Sequence, residues 1–187
     1  MTLIEILKNF NLDDAGYTYG TDKNTIHDYI NGFYESGLLP YKEKSLDILE
    51  IGIYFGASLK LWREYFPNAK IYGADIQNRV LPQYKNINNV EYIFGDAYSQ
   101  EFLNNELKFD VIIDDGPHTL QSQRDFIRKY HSKLKKDSIM IIEDIADIMY
   151  IPILKDEVPD GFTCEVIDLR KNKNRYDDLM LIIRNGE

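Results

Sequence analysis

Cysteine is almost missing from this chain, and its scarcity excludes two kinds of protein at once. Of 187 residues only Cys164 is a cysteine, so the sequence can form no internal disulfide and no thiolate metal cluster. Cys164 lies in an alternating stretch, residues 162–169, and reads as a small core or half-buried residue. Long apolar runs are missing too, and none is long enough to cross a bilayer. The first ten residues mix Glu5 and Lys8 into an amphipathic pattern. They lack the basic start, apolar middle and small-residue cleavage site of a secretory signal. A cytoplasmic location is the expectation. Positive charge is also in short supply: 22 Lys and Arg face 31 Asp and Glu, a formal net charge of −9. Nucleic acid binding needs a cationic surface to neutralise phosphates. The balance therefore points to a small-molecule substrate, with neither nucleic acid nor membrane as a partner. Self-association is left open. A substrate that carries phosphates must find local Lys, Arg or helix N-termini.

What is present is a patterned α/β chain long enough for one compact domain. Residues 2–10 read as a short helix with Leu3, Ile6, Leu7 and Phe10 on one face. A turn-rich polar stretch over residues 11–23 holds Tyr17, Tyr19 and Gly20. Residues 24–36 read as a second helix, with Ile26, Tyr29, Ile30 and Phe33 inward and Gly37 as its stop. From residue 45 short β-rich runs alternate with helical patterns. Strands are expected at 46–51, 70–75, 90–95, 109–114 and 138–143, apolar at successive positions as strands buried on both faces are. Helical patterns at 58–66, 100–107 and 120–134 lie between most of them. This is the βαβ signature of a doubly wound, mostly parallel sheet with helices on both faces. Residues 163–169 and 178–184 are two further strand-like runs joined by a polar segment, so they should pair antiparallel. The expectation is a mostly parallel seven-stranded sheet closed by an antiparallel C-terminal hairpin. A plain dinucleotide-binding sheet would continue with a second mononucleotide half instead. Within this single domain, residues 1–44 are expected to form a helical cap over the active site and residues 45–187 the cofactor-binding catalytic core.

Ligands in such sheets sit beyond the carboxyl ends of the strands. After the first strand, Gly52 and Gly56 flank a tight strand-to-helix turn that lets a ligand approach the backbone. The spacing is not G-x-G-x-x-G, which argues against a pyrophosphate cofactor. Glu50 places a carboxylate near the turn and suits a cofactor carrying positive charge, such as a sulfonium with an α-amino group. Asp75 ends the second strand, where an acid can hydrogen-bond both hydroxyls of an adenosine ribose, a device that NAD sites share. Asp96 follows the third strand and can accept a hydrogen bond from an adenine amino group. Ser58, Ile76, Ala97 and Asp114 stand beside these residues and are candidates for the same pocket. Packing turns, helix caps and Asx turns use the same residue types singly; the ordered recurrence on successive strand ends favours a ligand.

The fourth strand finishes Asp114-Asp115-Gly116-Pro117-His118 and the fifth finishes Glu143-Asp144. As neighbours, these strands bring Asp115, Glu143 and Asp144 together. Three such carboxylates repel one another, and a divalent cation relieves that. Oxygen ligands suit Mg²⁺ or Ca²⁺. His118, one turn beyond Asp115, can take a proton from a substrate hydroxyl, while the metal polarises the same oxygen. His27 and His131 lack comparable company in the sequence, and Trp62 and Phe66 read as core.

Together these segments resemble the metal-dependent class I methyltransferases related to macrolide-sugar O-methyltransferases, over nearly the whole chain. The motifs are Tyr19-Gly20-Thr21-Asp22-Lys23 with His27 and Tyr29; Leu49-Glu50-Ile51-Gly52 through Gly56-Ala57-Ser58-Leu59 and Trp62; residues 66–75; Ile113-Asp114-Asp115-Gly116-Pro117-His118; and Glu143-Asp144. The resemblance implies S-adenosylmethionine as methyl donor, Mg²⁺ held by Asp115, Glu143 and Asp144, and His118 as base. It also implies that the segment with Thr21, Asp22 and Lys23 folds over the methionine end of the cofactor. Pro117 stands where the family usually has Ser, and the residues after Asp144 diverge from it. Both departures fall around the acceptor, which favours a sugar or nucleotide-linked sugar of surface polysaccharide assembly over a macrolide. A catechol-type O-methyltransferase would show an aromatic-lined slot. A dehydrogenase would need the missing glycine pattern. A non-catalytic cofactor-binding subunit would have no use for the acids and histidine.

Overall fold

The computed structural model describes residues 1–13 and 19–186; Tyr17, in the turn-rich stretch, lies outside the described residues. Seven strands form one sheet: β1 (Asp47–Ile51), β2 (Lys70–Asp75), β3 (Val90–Phe94), β4 (Phe109–Asp114), β5 (Leu134–Ile142), β6 (Phe162–Asp168) and β7 (Leu179–Asn185), in the order β3-β2-β1-β4-β5-β7-β6. The first five pair in parallel, and β7 runs antiparallel between β5 and β6. The strand order reverses between β1 and β4. That switch point opens a crevice at the carboxyl ends of the two strands.

Helices cover both faces, and the buried side chains sort into two cores. On one face lie α1 (Leu3–Asn9), α2 (Glu35–Gly37) with the wide helical turn Ile30–Tyr34 before it, and α3 (Ala57–Tyr65). Leu3, Ile6, Tyr34, Leu61 and Trp62 pack there on Ile48, Val111 and Ile182. On the other face, α4 (Gln100–Leu103), α5 (Leu120–Tyr130) and α6 (Tyr150–Lys155) bury Phe126, Ile127 and Leu154 against Leu49, Ile112 and Met140. Local chemistry sets the helix starts. Thr2 and Glu5 form a reciprocal capping box at α1, and Thr119 caps α5 by accepting from the Ser122 amide. Trp62 and Phe66 are core residues, and Cys164 is half-buried on β6.

Several boundaries differ from the sequence expectation. Residues 24–26 form a turn, residues 27 and 28 are irregular, and helical structure starts only at residue 29. Lys23, His27 and Tyr29 are drawn to acids at the strand ends, and such contacts override helix propensity. Gly37 lies inside the last turn of α2 rather than after it. A Cβ there would stand 2.5 Å from the Phe33 ring, so close packing requires the glycine. The helix expected over 120–134 ends at Tyr130 with one tighter turn, and β5 starts earlier, at Leu134. The helix expected over 100–107 stops at Leu103. The β6–β7 connection contains one helical turn, α7 (Arg170–Lys173).

Strand β7 is buried on both faces, and Ile182 on it is fully buried. Ile182→Ala should cost about 2–5 kcal/mol of stability, the range for a buried aliphatic truncation. Urea unfolding measures it, and a loss below about 1 kcal/mol would contradict this packing.

Candidate active site

The crevice between β1 and β4 opens into a cavity of about 490 Å³. Its floor is the turn after β1. Gly52 has φ +84°, and a Cβ there would stand 1.9 Å from the Asp115 carbonyl oxygen, so only glycine lets the two turns meet. Gly56, at φ +90°, starts α3 but is absent from the cavity wall. Asp75 holds the turn together. Its Oδ2 accepts from the Ile53 and Tyr54 amides at 3.1 and 3.0 Å, and its Oδ1 accepts from Gln77 at 2.9 Å. Asp96 accepts from the Tyr98 amide at 2.9 Å, an Asx turn. Both acids still face the cavity with free lone pairs.

The wall joins Thr21, Gly52, Ser58, Asp75, Ile76, Asp96 and Ala97 of the expected pocket set, together with Asp115 and His118. Sequence reasoning missed Ile53, Tyr54, Phe55 and Tyr98, the aromatic and apolar part of that wall. Ile76 is 71% exposed, an apolar side chain held open beside the cavity. Among the described residues, four carboxylates line the cavity, those of Asp22, Asp75, Asp96 and Asp115, and no Lys or Arg does.

Three expected pocket residues sit behind the wall instead. Asp114 is buried, accepts from the Tyr98 hydroxyl at 2.8 Å, and is pushed up to about 7 by burial. Glu50 is fully buried and accepts from Ser58 Oγ at 2.6 Å; burial lifts its pKa to about 7 against the pull of Lys23. Neither acid reaches the cavity, because each side chain turns into the protein from a strand buried on both faces. Lys23 is the third. Its side chain is 1% exposed, and its ammonium lies 2.8 Å from Asp115 Oδ2, 3.5 Å from Glu50 Oε1, and in hydrogen-bond contact with Glu143. Burial alone would lower its pKa, but the three carboxylates hold it well above the ordinary lysine value.

Asp115, His118 and Asp144 offer ligand atoms within 4.8 Å of one another. His118 Nε2 lies 3.8 Å from Asp115 Oδ1 and 3.7 Å from Asp144 Oδ2. Both His118 and Asp144 hold left-handed backbones, φ +55° and +52°. Such conformations cost about 1–3 kcal/mol each and persist where surrounding structure enforces them. Glu143, expected beside Asp115 and Asp144, is buried below them. It takes hydrogen bonds from Lys23 and the Tyr34 hydroxyl. Burial raises the pKa of Glu143 well above the carboxylate range and that of Asp144 in the same direction. Positive charge is therefore in deficit at these strand ends, the condition that a divalent cation satisfies.

His27, which the sequence left without company, is buried here. Its Nδ1 lies 2.6 Å from Asp178 Oδ1 and 3.4 Å from Asp144 Oδ1, and its ring stacks on Tyr29 at 4.8 Å. The Tyr29 hydroxyl donates to Asp144 Oδ1 at 2.6 Å. Gln123 of α5 donates to the Glu143 carbonyl at 3.1 Å. Tyr29, Tyr34 and Gln123 hold the site from behind. Of these, Tyr29 stood in the motif set beside His27, whereas Tyr34 and Gln123 carried no signal in the sequence.

A cavity at the switch point, acids ending β2 and β3, and β7 inserted antiparallel beside β5 decide the fold. This is the class I methyltransferase fold. The mycinamicin-pathway methyltransferase MycE, solved in complex with Mg and SAH, superposes with a TM-score of 0.73 at 20% identity, over 100% of this chain and 55% of that one. In sequence, the mycinamicin VI 2''-O-methyltransferase of Micromonospora griseorubida is 26% identical over 72% of this chain and 36% of its own length. The L-olivosyl-oleandolide 3-O-methyltransferase of Streptomyces antibioticus is 30% identical over 71% of this chain and 36% of its own. The chain thus spans little more than a third of these relatives. No family model matches it.

Gly52→Ala should cost at least about 1–3 kcal/mol from the left-handed backbone alone, before the clash with the Asp115 carbonyl. A melting temperature within 1 °C of the parent, followed by circular dichroism, would contradict this account of the turn (order-of-magnitude threshold, about 1 °C).

Proposed function

We propose that this chain is an S-adenosylmethionine-dependent, divalent-metal-assisted O-methyltransferase acting on a sugar hydroxyl. The observation that carries the reading is the charge of the cavity: four carboxylates and no cationic side chain among the described lining residues. Such a wall repels a pyrophosphate and attracts a sulfonium with an α-amino group, which argues against a dinucleotide cofactor. Asp75 and Asp96 take the ribose and adenine ends, with Ile76 and Tyr54 as apolar contacts. Thr21 and Asp22 close the opposite end beside Asp115 and His118. Residues 1–44 act as the cap, anchored by Lys23, Tyr29 and Tyr34. The relatives named as the mycinamicin VI 2''-O-methyltransferase and the L-olivosyl-oleandolide 3-O-methyltransferase support a sugar acceptor.

Bound S-adenosylmethionine supplies an electrophilic methyl group, and a divalent cation supplies a Lewis acid for the acceptor oxygen. Asp115 and Asp144 are residues that would hold that cation. His118 stands between them with its ring 37% exposed, the exposure a base needs to meet an incoming hydroxyl. It accepts the hydroxyl proton at Nε2 as the oxygen becomes nucleophilic. The strained backbone at His118 and Asp144 pre-sets these side chains, so little reorganisation accompanies the reaction. Pro117 stiffens the turn between Asp115 and His118.

Free sugars, nucleotide-linked sugars and glycosylated polyketides, screened for methyl transfer with and without Mg²⁺, test the reading. The expected outcome is turnover that a chelator abolishes and Mg²⁺ restores. His118→Ala should lower kcat by about 10²–10⁴-fold, the usual worth of a general base, while S-adenosylmethionine binding by calorimetry persists. Undiminished turnover in His118→Ala, or turnover indifferent to chelator, overturns the mechanism. A planar catechol methylated in preference to every sugar overturns the acceptor class.

A further inference from the structure

The carboxyl edge of the sheet gathers its exposed positive charge in one place. In the turns that follow β1 to β5, residues 52–56, 76–81, 95–99, 115–119 and 143–149, Arg79 is the one Lys or Arg, and it lies over the Tyr54 ring at 5.8 Å. The β6–β7 connection holds Arg170, Lys171, Lys173 and Arg175. Strand β6 runs in the direction of β5, because both pair antiparallel with β7. The connection therefore emerges at the same edge as the catalytic turns. Across the sheet, Asp75 and Asp96 follow β2 and β3, Asp115 and Asp144 follow β4 and β5, and this connection comes next. An acceptor that meets His118 from the side away from the cofactor lies beside it.

The connection is fixed in place. Leu169 packs on the cap so closely that a Cβ on Gly32 would stand 2.4 Å from its side chain. Asn172 donates to Asp28 Oδ2 at 2.7 Å. Asn174, at φ +56°, turns the chain back, and the Arg175 amide donates to the Arg170 carbonyl at 3.2 Å. Both arginines are engaged. Arg170 donates to Asp168 at 2.9 and 2.8 Å, and these bonds, with the Asp147 carboxylate of the turn after β5, hold it above the ordinary arginine value. Arg175 donates to Asp177 at 2.9 Å and lies 3.5 Å from Asp178, the partner of His27 beside Asp144. Lys171 and Lys173 stand exposed between the two arginines and make no hydrogen bond or ion pair with the described residues.

We propose that Lys171 and Lys173 form a phosphate subsite for the acceptor, so that the sugar methylated here carries a phosphate or diphosphate at its anomeric carbon, the carbon through which a sugar is joined to a carrier. This names the substrate class of the site and rests on the methyltransferase reading. An ammonium on a flexible stem binds phosphate as a point charge. The four carboxylates of the cavity repel such a group and the two lysines attract it. The charge pattern thereby orients the acceptor, with its phosphate on the β6–β7 connection and a ring hydroxyl toward His118.

Glucose 1-phosphate, uridine diphosphate glucose and a prenyl diphosphate glucose are the probes, with methyl glucoside as the neutral control. Each is titrated by calorimetry into protein saturated with Mg²⁺ and S-adenosylhomocysteine. The phosphorylated probes should bind about tenfold or more tightly than methyl glucoside, an advantage that falls as salt rises. The double variant Lys171→Ala, Lys173→Ala should lose that advantage and keep its affinity for methyl glucoside and S-adenosylhomocysteine within about twofold of the parent. Exposed lysines without ion pairs leave folding unaffected when removed. Phosphate drawn only to the metal would keep its affinity in the double variant, and that result overturns the proposal. So does a parent protein that binds methyl glucoside as tightly as glucose 1-phosphate, or that binds no phosphorylated probe. Chelator-sensitive methyl transfer to a neutral glycoside then leaves the methyltransferase reading intact, whereas failure to bind S-adenosylhomocysteine overturns that reading itself. Tighter binding of the nucleotide probe or of the prenyl probe names the carrier, and either result upholds the subsite.

Discussion

One buried ammonium group organises the functional end of this molecule. Lys23 meets acids from three strand ends, Glu50 on β1, Asp115 after β4 and Glu143 after β5. Three parallel strands whose carboxyl ends all carry acids are an electrostatic liability in a buried setting. A lysine brought in from a separate segment offsets it. That segment also supplies Tyr29 and Tyr34, whose hydroxyls donate to Asp144 and Glu143. The N-terminal residues are therefore held down by charge and hydrogen bonds as well as by the apolar packing of Leu3, Ile6 and Tyr34. Removing a partner from such a buried pair commonly costs about 3–5 kcal/mol, because the charge left behind has no counter-ion.

The same constraint divides the carboxyl face into two regions. Acids at the ends of β2 and β3 face the cavity and keep lone pairs for a ligand. Acids at the ends of β4 and β5 gather beside His118, where backbone strain fixes their direction. Gly52 joins the two regions, since its missing side chain lets the turn after β1 touch the turn after β4. A cofactor lying along the first region ends beside the second, so a donor group and a base share one edge of the cavity.

The sequence made the strands legible because each is apolar on successive positions, and it made Asp75, Asp96, Asp115 and His118 legible because they follow strand ends. Glu50, Asp114 and Glu143 were read from the same strand ends, and their side chains lie buried. Glu50 and Asp114 lie within β1 and β4, strands buried on both faces, and Glu143 follows β5 directly, so a strand-end position alone does not tell whether a side chain opens to the cavity. His27 and Tyr29 were read as parts of a helix because their spacing fits one. Their binding to Asp178 and Asp144 depends on contacts more than a hundred residues away in the chain, which periodicity does not record. Lys23 was a candidate for the cofactor pocket, but its burial was hidden for the same reason: a lysine in a polar loop usually belongs to solvent, and only the assembled strand ends make its burial favourable.

The placement of β7 has a consequence for how the chain is assembled. Strand β6 joins the backbone pairing of the five parallel strands only through β7, which pairs with β5 on one side and β6 on the other. The sheet therefore cannot grow in order of synthesis. The earlier of the two strands must wait at the edge until the later one enters between it and β5, and until then β5 exposes an open row of backbone donors and acceptors. Residues 177 and 178, which open that late strand, also meet Tyr29 and His27. Contacts from residues 27 and 29 to residues 177 and 178 thus complete the acid-rich end of the sheet, joining segments about 150 residues apart.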